Sequence, residues 1–503
     1  MQAVGVVIAA LISFAADGNR IALKLDHGAA EITWVNESTF RYRRTLVGQA
    51  MPPVQPAEGR PLADTDLVPL EIKETPDALV ILSRLIELSV SKKGVLLSVR
   101  QRDGTPLMQD AEPPVTTGDG VEWTRTSPPG PFYGLGPRAE PELDLRGKRI
   151  ETDRAFLLTS GGYGEFHPGP GRFRFDFQRQ GTYRVTAPRI DYYFYYGPKF
   201  KQIFEHHHEA RGSSPEWRVT DEPAASWGTL RTSLLRMVQA AMSAELDPWF
   251  DLTEYKNAPA DLAARARQIG SLVPKVTAAG NGLSGFRQQL DSFFSSYVPD
   301  VDFHGYPAWH ALPFQFPADP ECAHHADEFM LGDEMLVAPI YDATGQRSLY
   351  LPQGVWTNLE TNGELQGRRT ITVKTASLPV FARNGAIVPL DSGGGMALHY
   401  FPTLPAEFFL VEEDIAKYSQ VHAAPAGDEM RLEIESAKDR DYEWVVHHVA
   451  CPSAVGFGDL QYRKLERPNP MAGGTWFYDA AQRNLYVRVS AKAGGDAIVN
   501  LKF

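Results

Sequence analysis

At 503 residues the chain is long enough for roughly three domains of ordinary size. A hydrophobic share of 43% and a charged share of 22% are those of a globular protein, and they exclude a disordered or collagen-like chain. The net charge of −12, with no run rich in Lys and Arg, argues against a nucleic-acid or anionic-membrane partner.

Residues 1–16 are apolar apart from Gln2 and Ser13, and Ala15 and Ala16 precede Asp17. That pattern fits the apolar core and small-residue end of a secretory leader over residues 1–18, although no basic residue precedes Arg20. An ordinary strand is the competing reading, so export and a cytoplasmic location both stay open. From residue 19 to 212 short runs such as RIALKL (20–25), ALVIL (78–82), IELSV (86–90) and VLLSV (95–99) alternate with Gly, Pro and Asp. Period-two alternation broken by turn residues predicts an antiparallel β-sandwich, with Pro-rich loops at 52–61 and 113–131.

Residues 213–318 read differently. Leu230, Leu234, Leu235, Met237, Val238, Ala241 and Met242 recur at helical spacing, and a second helix is expected over 260–272 and a third over 284–297. From Phe329 the chain turns to β again, with strands near 335–340, 348–351, 370–373 and 386–390, then a further β segment to the end. The fold class is therefore mainly β with a helical middle. Two C-terminal β-sandwich domains are expected, over 319–400 and 401–503.

Cys322 and Cys451 imply no disulfide framework; two thiols or a single bridge are both compatible with the count. His206, His207 and His208 fall in a stretch that reads as helical, so they point in different directions and cannot share one ion. His324, His325 and Asp327 lack a second ligand pair at metal spacing. Neither a metal nor an organic cofactor is expected.

Several motifs occur together and in one order. They include Phe132-Tyr-Gly-Leu-Gly136, Leu143-Asp-Leu-Arg-Gly147, Leu158-Thr-Ser-Gly-Gly-Tyr-Gly164 and Asp191-Tyr-Tyr-Phe-Tyr-Tyr-Gly-Pro198. Gly305-Tyr-Pro-Ala-Trp-His310, Phe316-Pro-Ala-Asp-Pro320, Phe329-Met-Leu-Gly-Asp-Glu-Met-Leu-Val-Ala-Pro339 and Arg383-Asn-Gly-Ala386 follow. The set resembles family 31 of the glycoside hydrolases, the α-glucosidase and α-xylosidase group. One departure is His310, which stands where the family usually has an Arg.

The resemblance implies a galactose-mutarotase-like N-terminal sandwich and hydrolysis of O-glycosyl bonds in α-linked glycosides. It implies an α-linked oligosaccharide or glycoside as partner, and no catalytic metal or cofactor. It also implies a (β/α)₈ barrel, which needs at least about 200 residues, whereas roughly a hundred lie between Trp217 and Pro317. Residues 213–318 are therefore expected to be a shortened barrel remnant. Thr220-Asp-Glu-Pro-Ala-Ala-Ser-Trp-Gly-Thr-Leu-Arg231 fits the family's acid/base segment with one extra residue before the Trp, which makes Asp221 the acid/base candidate. Its competing reading is a carboxylate that stabilises a helix N-terminus. In Trp249-Phe-Asp-Leu-Thr-Glu254, Asp251 corresponds by its flanking helices to the family's later sugar-site aspartate, and less well to the nucleophile. Trp227 and Trp249 are the substrate-binding candidates. The segment that carries the family's nucleophile has no counterpart ahead of Asp221, so two readings stand: a hydrolase, or a catalytically silent carbohydrate-binding or scaffold descendant. An incomplete barrel leaves apolar edges, and helices from 227–272 are expected to pack on the N-terminal sandwich unless the protein forms a homo-oligomer.

Overall fold

A computed structural model describes residues 8–46, 51, 66–211, 217–218, 225–246, 248–273, 275–277, 285–393, 395–467 and 472–503. The chain forms two compact units. The first gathers residues 1–216, 239–246 and 303–307; the second gathers 217–238, 247–302 and 308–503.

Two antiparallel sheets build the first unit. Among the described residues, one has eight strands and runs from Leu11–Asp17 through Arg20–Leu25, Ala29–Asn36 and Thr39–Arg44 to Ile190–Tyr196, ending at Phe132–Gly134. The other has ten and runs from Arg149–Thr152 to Glu71–Glu74. Alternation explains their assembly: Ile86–Ser91 buries every second residue, and Leu88 and Val90 meet Ile32, Trp34 and Phe194 of the facing sheet in one core. Each such side chain, fully removed from water, contributes about 1.5–3 kcal/mol.

The Phe-Tyr-Gly-Leu-Gly motif is a tight corner of this sandwich. Gly134 takes φ +95°, and a Cβ there would lie 2.3 Å from the carbonyl oxygen of Phe156, so only glycine fits. Helix Phe200–Arg211 closes the unit through Phe204, which meets Phe156 edge to face at 5.5 Å. The three histidines separate as helical geometry requires: His206 Nε2 meets Ser38 Oγ at 3.0 Å, and His207 Nδ1 meets the Tyr195 hydroxyl at 3.1 Å. Residues 239–246 also belong here. Gln239 donates to the carbonyls of Glu140 and Glu142, Ser243 Oγ accepts from Gly136 N, and Glu245 pairs with Arg154 at 2.8 Å. The expected packing of the 227–272 helices on the sandwich thus holds for the end of the first helix, whereas 227–238 and 247–272 cluster in the second unit.

In the second unit, strands Trp309–Ala311, Phe329–Leu331, Met335–Val337, Val380–Arg383, Val355–Asn358 and Glu364–Gln366 form one sheet, faced by the ribbon Gln346–Leu351 with Arg369–Lys374. Their shared core holds Met330, Leu336, Leu349, Trp356 and Phe381. Two six-stranded sheets follow. Strands Ala386–Ser392 and Gly395–Phe401, expected in the 319–400 domain, pair with each other in the first of these sheets, Gly395–Phe401 lying parallel to Arg440–Val446. The third expected helix is two, Gly285–Gln289 and Asp291–Pro299, divided at Leu290. Cys322 is a buried free thiol and Cys451 an exposed one.

Candidate functional site

Three short strands, Trp217–Arg218, Pro248–Asp251 and Lys275–Thr277, lie side by side and all parallel, with Trp249 opposite Arg218 on one flank and Lys275 on the other. Helix Trp227–Ala241 connects the first to the second, and helix Ala260–Gly270 the second to the third. A parallel order with helical crossovers is a β/α repeat, and functional groups of such repeats gather where the strands end.

The helices start where local chemistry places them. Ser226 N donates to Thr229 Oγ1 at 2.7 Å while Thr229 N donates back to Ser226 Oγ at 3.1 Å, a reciprocal cap that begins the first helix at Trp227. Helix Ala260–Gly270 buries Leu262, Ala266 and Ile269, and Gly270 sits so close to Leu252 that a Cβ would come within 2.9 Å of its side chain.

Asp251 is the last residue of the middle strand. Its Oδ1 accepts from Thr253 N at 2.9 Å and from Thr253 Oγ1 at 2.6 Å, capping the short 3₁₀ turn Leu252–Tyr255. Trp249 shares the Asp251 face of the strand, since alternate residues do, while Phe250 between them is buried in the core. The Trp249 indole N–H donates to Thr277 Oγ1 at 2.5 Å and so ties the second strand to the third. Replacing Asp251 with Ala is expected to lower stability by about 1 kcal/mol through loss of the cap, read as a drop in Tm with unchanged far-UV circular dichroism.

Trp227 occupies a different place. It lines a cleft of about 550 Å³ with Asp261, Arg265, Asp342 and Lys374, and neither Trp249 nor Asp251 is among the lining residues. Arg265 is held there by the carbonyls of Thr375, Ala376 and Ser377 at 2.7–3.0 Å. Burial lowers its pKa below the usual guanidinium value. The structure therefore brings Trp249 and Asp251 together, puts Trp227 elsewhere, and leaves Asp221 outside the described residues. Among the described residues no three His, Cys, Asp or Glu side chains stand together to hold a metal ion. No described helix is long and apolar enough to cross a membrane.

The junction motifs are also explained. Trp309 of the Gly-Tyr-Pro-Ala-Trp-His segment stacks on Phe329 at 3.7 Å and donates its indole N–H to the Leu272 carbonyl. His310, which replaces the expected Arg, is buried with Nδ1 3.5 Å from Asp333 Oδ1 and its ring 4.8 Å from Phe314. A polar group that sequence reasoning missed is the pair His399–His447, whose Nδ1 and Nε2 stand 3.0 Å apart. No sequence signal could have joined His399, on strand Gly395–Phe401, to His447, just past strand Arg440–Val446.

Residues 305–388 match the glycosyl hydrolase family 31 C-terminal domain, and over that segment the chain is of the family 31 type. It is 34% identical over 105 residues to an α-glucosidase of Saccharolobus solfataricus, a match that covers 21% of this chain and 15% of that protein. It is 28% identical over 201 residues to the mouse neutral α-glucosidase AB, covering 34% and 21% respectively. The chain thus matches well under two thirds of these relatives' length. Among solved structures, a family 31 dextranase of Flavobacterium johnsoniae, in a mutant form complexed with isomaltotriose, superposes with a TM-score of 0.84 at 13% identity, covering 98% of this chain and 100% of that one. At that identity the likeness is one of fold.

Proposed function

We propose that this chain is a carbohydrate-active protein of the family 31 type that binds an α-linked glucoside or oligosaccharide and has lost retaining hydrolysis. In this reading, residues 213–318 are a remnant of the catalytic barrel, flanked by the N-terminal sandwich and two C-terminal sandwiches. The observation that carries it is the β/α segment itself. The carboxylate at the end of its middle strand, Asp251, is a turn cap. A retaining glycosidase needs two carboxyl groups about 5 Å apart, one attacking and one exchanging the proton. In this reading Asp251 serves as a cap and sugar-site aspartate, and Asp221 would be an acid without a nucleophile, for which general acid catalysis alone supplies only about 10²–10⁴-fold.

The relatives' names and the isomaltotriose held by the dextranase make α-linked glucose the sugar to test first. Aryl α-glucoside and aryl α-xyloside turnover should stay at the buffer rate for the native chain and for Asp221→Asn alike, while calorimetry with isomaltotriose should show saturable binding. Aryl release that disappears in Asp221→Asn would restore the hydrolase. Neither release nor binding would remove the carbohydrate reading altogether.

A further inference from the structure

Within the second unit lies a cavity of about 500 Å³ that the sugar reading does not use. Its body is apolar, walled by Phe286, Leu378, Val388, Leu390 and Phe401. One wall is polar, and its hydrogen bonds fix the direction of every proton. Asn362 Nδ2 donates to the Gln482 carbonyl at 2.9 Å and to Asn484 Oδ1 at 3.3 Å, so its Oδ1 is the atom that faces His447 Nδ1, 2.9 Å away. His447 must therefore carry its proton on Nδ1, which leaves Nε2 to accept from His399 Nδ1 at 3.0 Å. His399 then presents Nε2 as a bare acceptor. No group among the described residues hydrogen-bonds that atom, and His399 lines the cavity.

Both rings are held neutral. Burial lowers His447 to about 2 and His399 to about 4, so the acceptor persists at neutral pH. Phe401 stacks on His447 at 4.4 Å and 14°, which locks the ring that orients His399. No Lys or Arg lines the cavity, and its one carboxylate, Glu360, already accepts from Thr375 Oγ1 at 2.8 and 2.9 Å. An anionic ligand would find no counter-charge. A sugar would lay its polar rim against Phe286, Leu378, Val388, Leu390 and Phe401, where each hydroxyl buried without a partner costs about 1–3 kcal/mol. A pocket of a few hundred Å³ with an apolar body and a bare acceptor at its wall suits a compact ring that offers a donor.

We propose that this cavity binds a small neutral aromatic alcohol or phenol, its ring filling the apolar body and its hydroxyl donating to Nε2 of His399. The site is independent of the proposed sugar function and stands or falls without it.

Ligand-observed NMR titration of the full chain tests it, with 2-naphthol as the probe and 2-methoxynaphthalene, which keeps the rings but has no donor, as its control. Saturable 2-naphthol binding is expected, about tenfold tighter than that of the methyl ether, a ratio that corresponds to one hydrogen bond. His399→Phe should weaken 2-naphthol about tenfold and leave the ether unchanged, and Leu390→Trp, which fills the body of the cavity, should weaken both. Absence of saturable binding, or equal affinity of the two probes for the native chain, overturns the proposal. So does a His399→Phe variant that weakens both probes alike. Should His399→Phe fail to fold, the comparison of probes on the native chain decides.

Discussion

Replacing Arg125 with Met will destabilise the N-terminal sandwich by about 3–5 kcal/mol, the largest effect expected of a single substitution in that unit. Arg125 lies on strand Gly120–Thr126 of one sheet and is 1% exposed; Glu165 lies on Tyr163–Phe166 of the other and is wholly buried. The guanidinium donates to Glu165 across the core and to Asp110 at 3.1 Å, and it lies 4.1 Å over the Tyr192 ring. Glu165 also accepts from the Tyr183 hydroxyl and faces His167 Nε2 at 3.3 Å. Burial alone would raise the Glu165 carboxyl, but Arg125, with His167 and Tyr183, holds it below the ordinary range. Met fills the same volume, yet it strands that carboxylate in the core. Without Arg125 the Glu165 pKa should rise, so the folded variant binds a proton the unfolded chain has lost, and its deficit should grow as pH rises. The measurement is urea unfolding of both proteins at pH 5 and pH 8. A deficit under 1 kcal/mol at pH 8 would mean that the pair contributes little. Arg125→Met with Glu165→Gln should recover part of the loss, because the stranded charge is gone.

Other buried polar pairs of this unit show where sequence reasoning stops. Ile86–Ser91 and Ala78–Leu82 were legible because one face meets the core and alternation records it. Thr39–Arg44 carries three arginines in six residues and shows no apolar alternation, yet all six are buried. Arg41 pairs with Asp191, 150 residues further along, and Arg43 with Glu31. No local window contains that information. In the candidate site the helices were legible from their period, whereas the described parts of the parallel strands, Trp217–Arg218, Pro248–Asp251 and Lys275–Thr277, are too short to display one. Asp251 was found as a residue of interest through its resemblance to a family segment. Its cap role depends on Thr253, two positions on, which fits an Asx turn as well as a sugar site. The helix break at Leu290 and the sheet membership of 386–401 are both settled by tertiary pairing that spacing along the chain does not encode.

Glu334→Gln will flatten the pH dependence of the second unit and make it more stable than the native protein in alkali. Glu334 sits in the Phe-Met-Leu-Gly-Asp-Glu-Met motif, just before strand Met335–Val337. Its Oε2 accepts from the Tyr297 hydroxyl at 2.6 Å, and Asp333 N donates to the same hydroxyl at 2.8 Å. Gly332 takes φ +58°, and a Cβ there would lie 2.4 Å from the Tyr297 ring, so the motif is built around this tyrosine. Burial, reinforced by the neighbouring Asp333 charge, raises the Glu334 carboxyl from 4.5 to about 8. A folded pKa above the unfolded one means that the native state keeps its proton where the unfolded chain has released it. Stability from this group is therefore complete below pH 4.5 and falls as pH rises, until the folded group also ionises near pH 8. A shift of that size is worth roughly 3–5 kcal/mol across the interval. Gln keeps an acceptor for Tyr297 and cannot ionise. His399 and His447, with pKa values lowered by burial, act in the opposite direction, losing stability as pH falls below the ordinary histidine range. Their contribution is common to both proteins and cancels in the difference. Urea unfolding of native and variant chains at pH 5, 7 and 9 should thus give a difference that grows in favour of the variant up to about pH 8 and then levels. Parallel profiles would show that Glu334 titrates as an ordinary carboxyl, and that the Tyr297 junction does not depend on its proton.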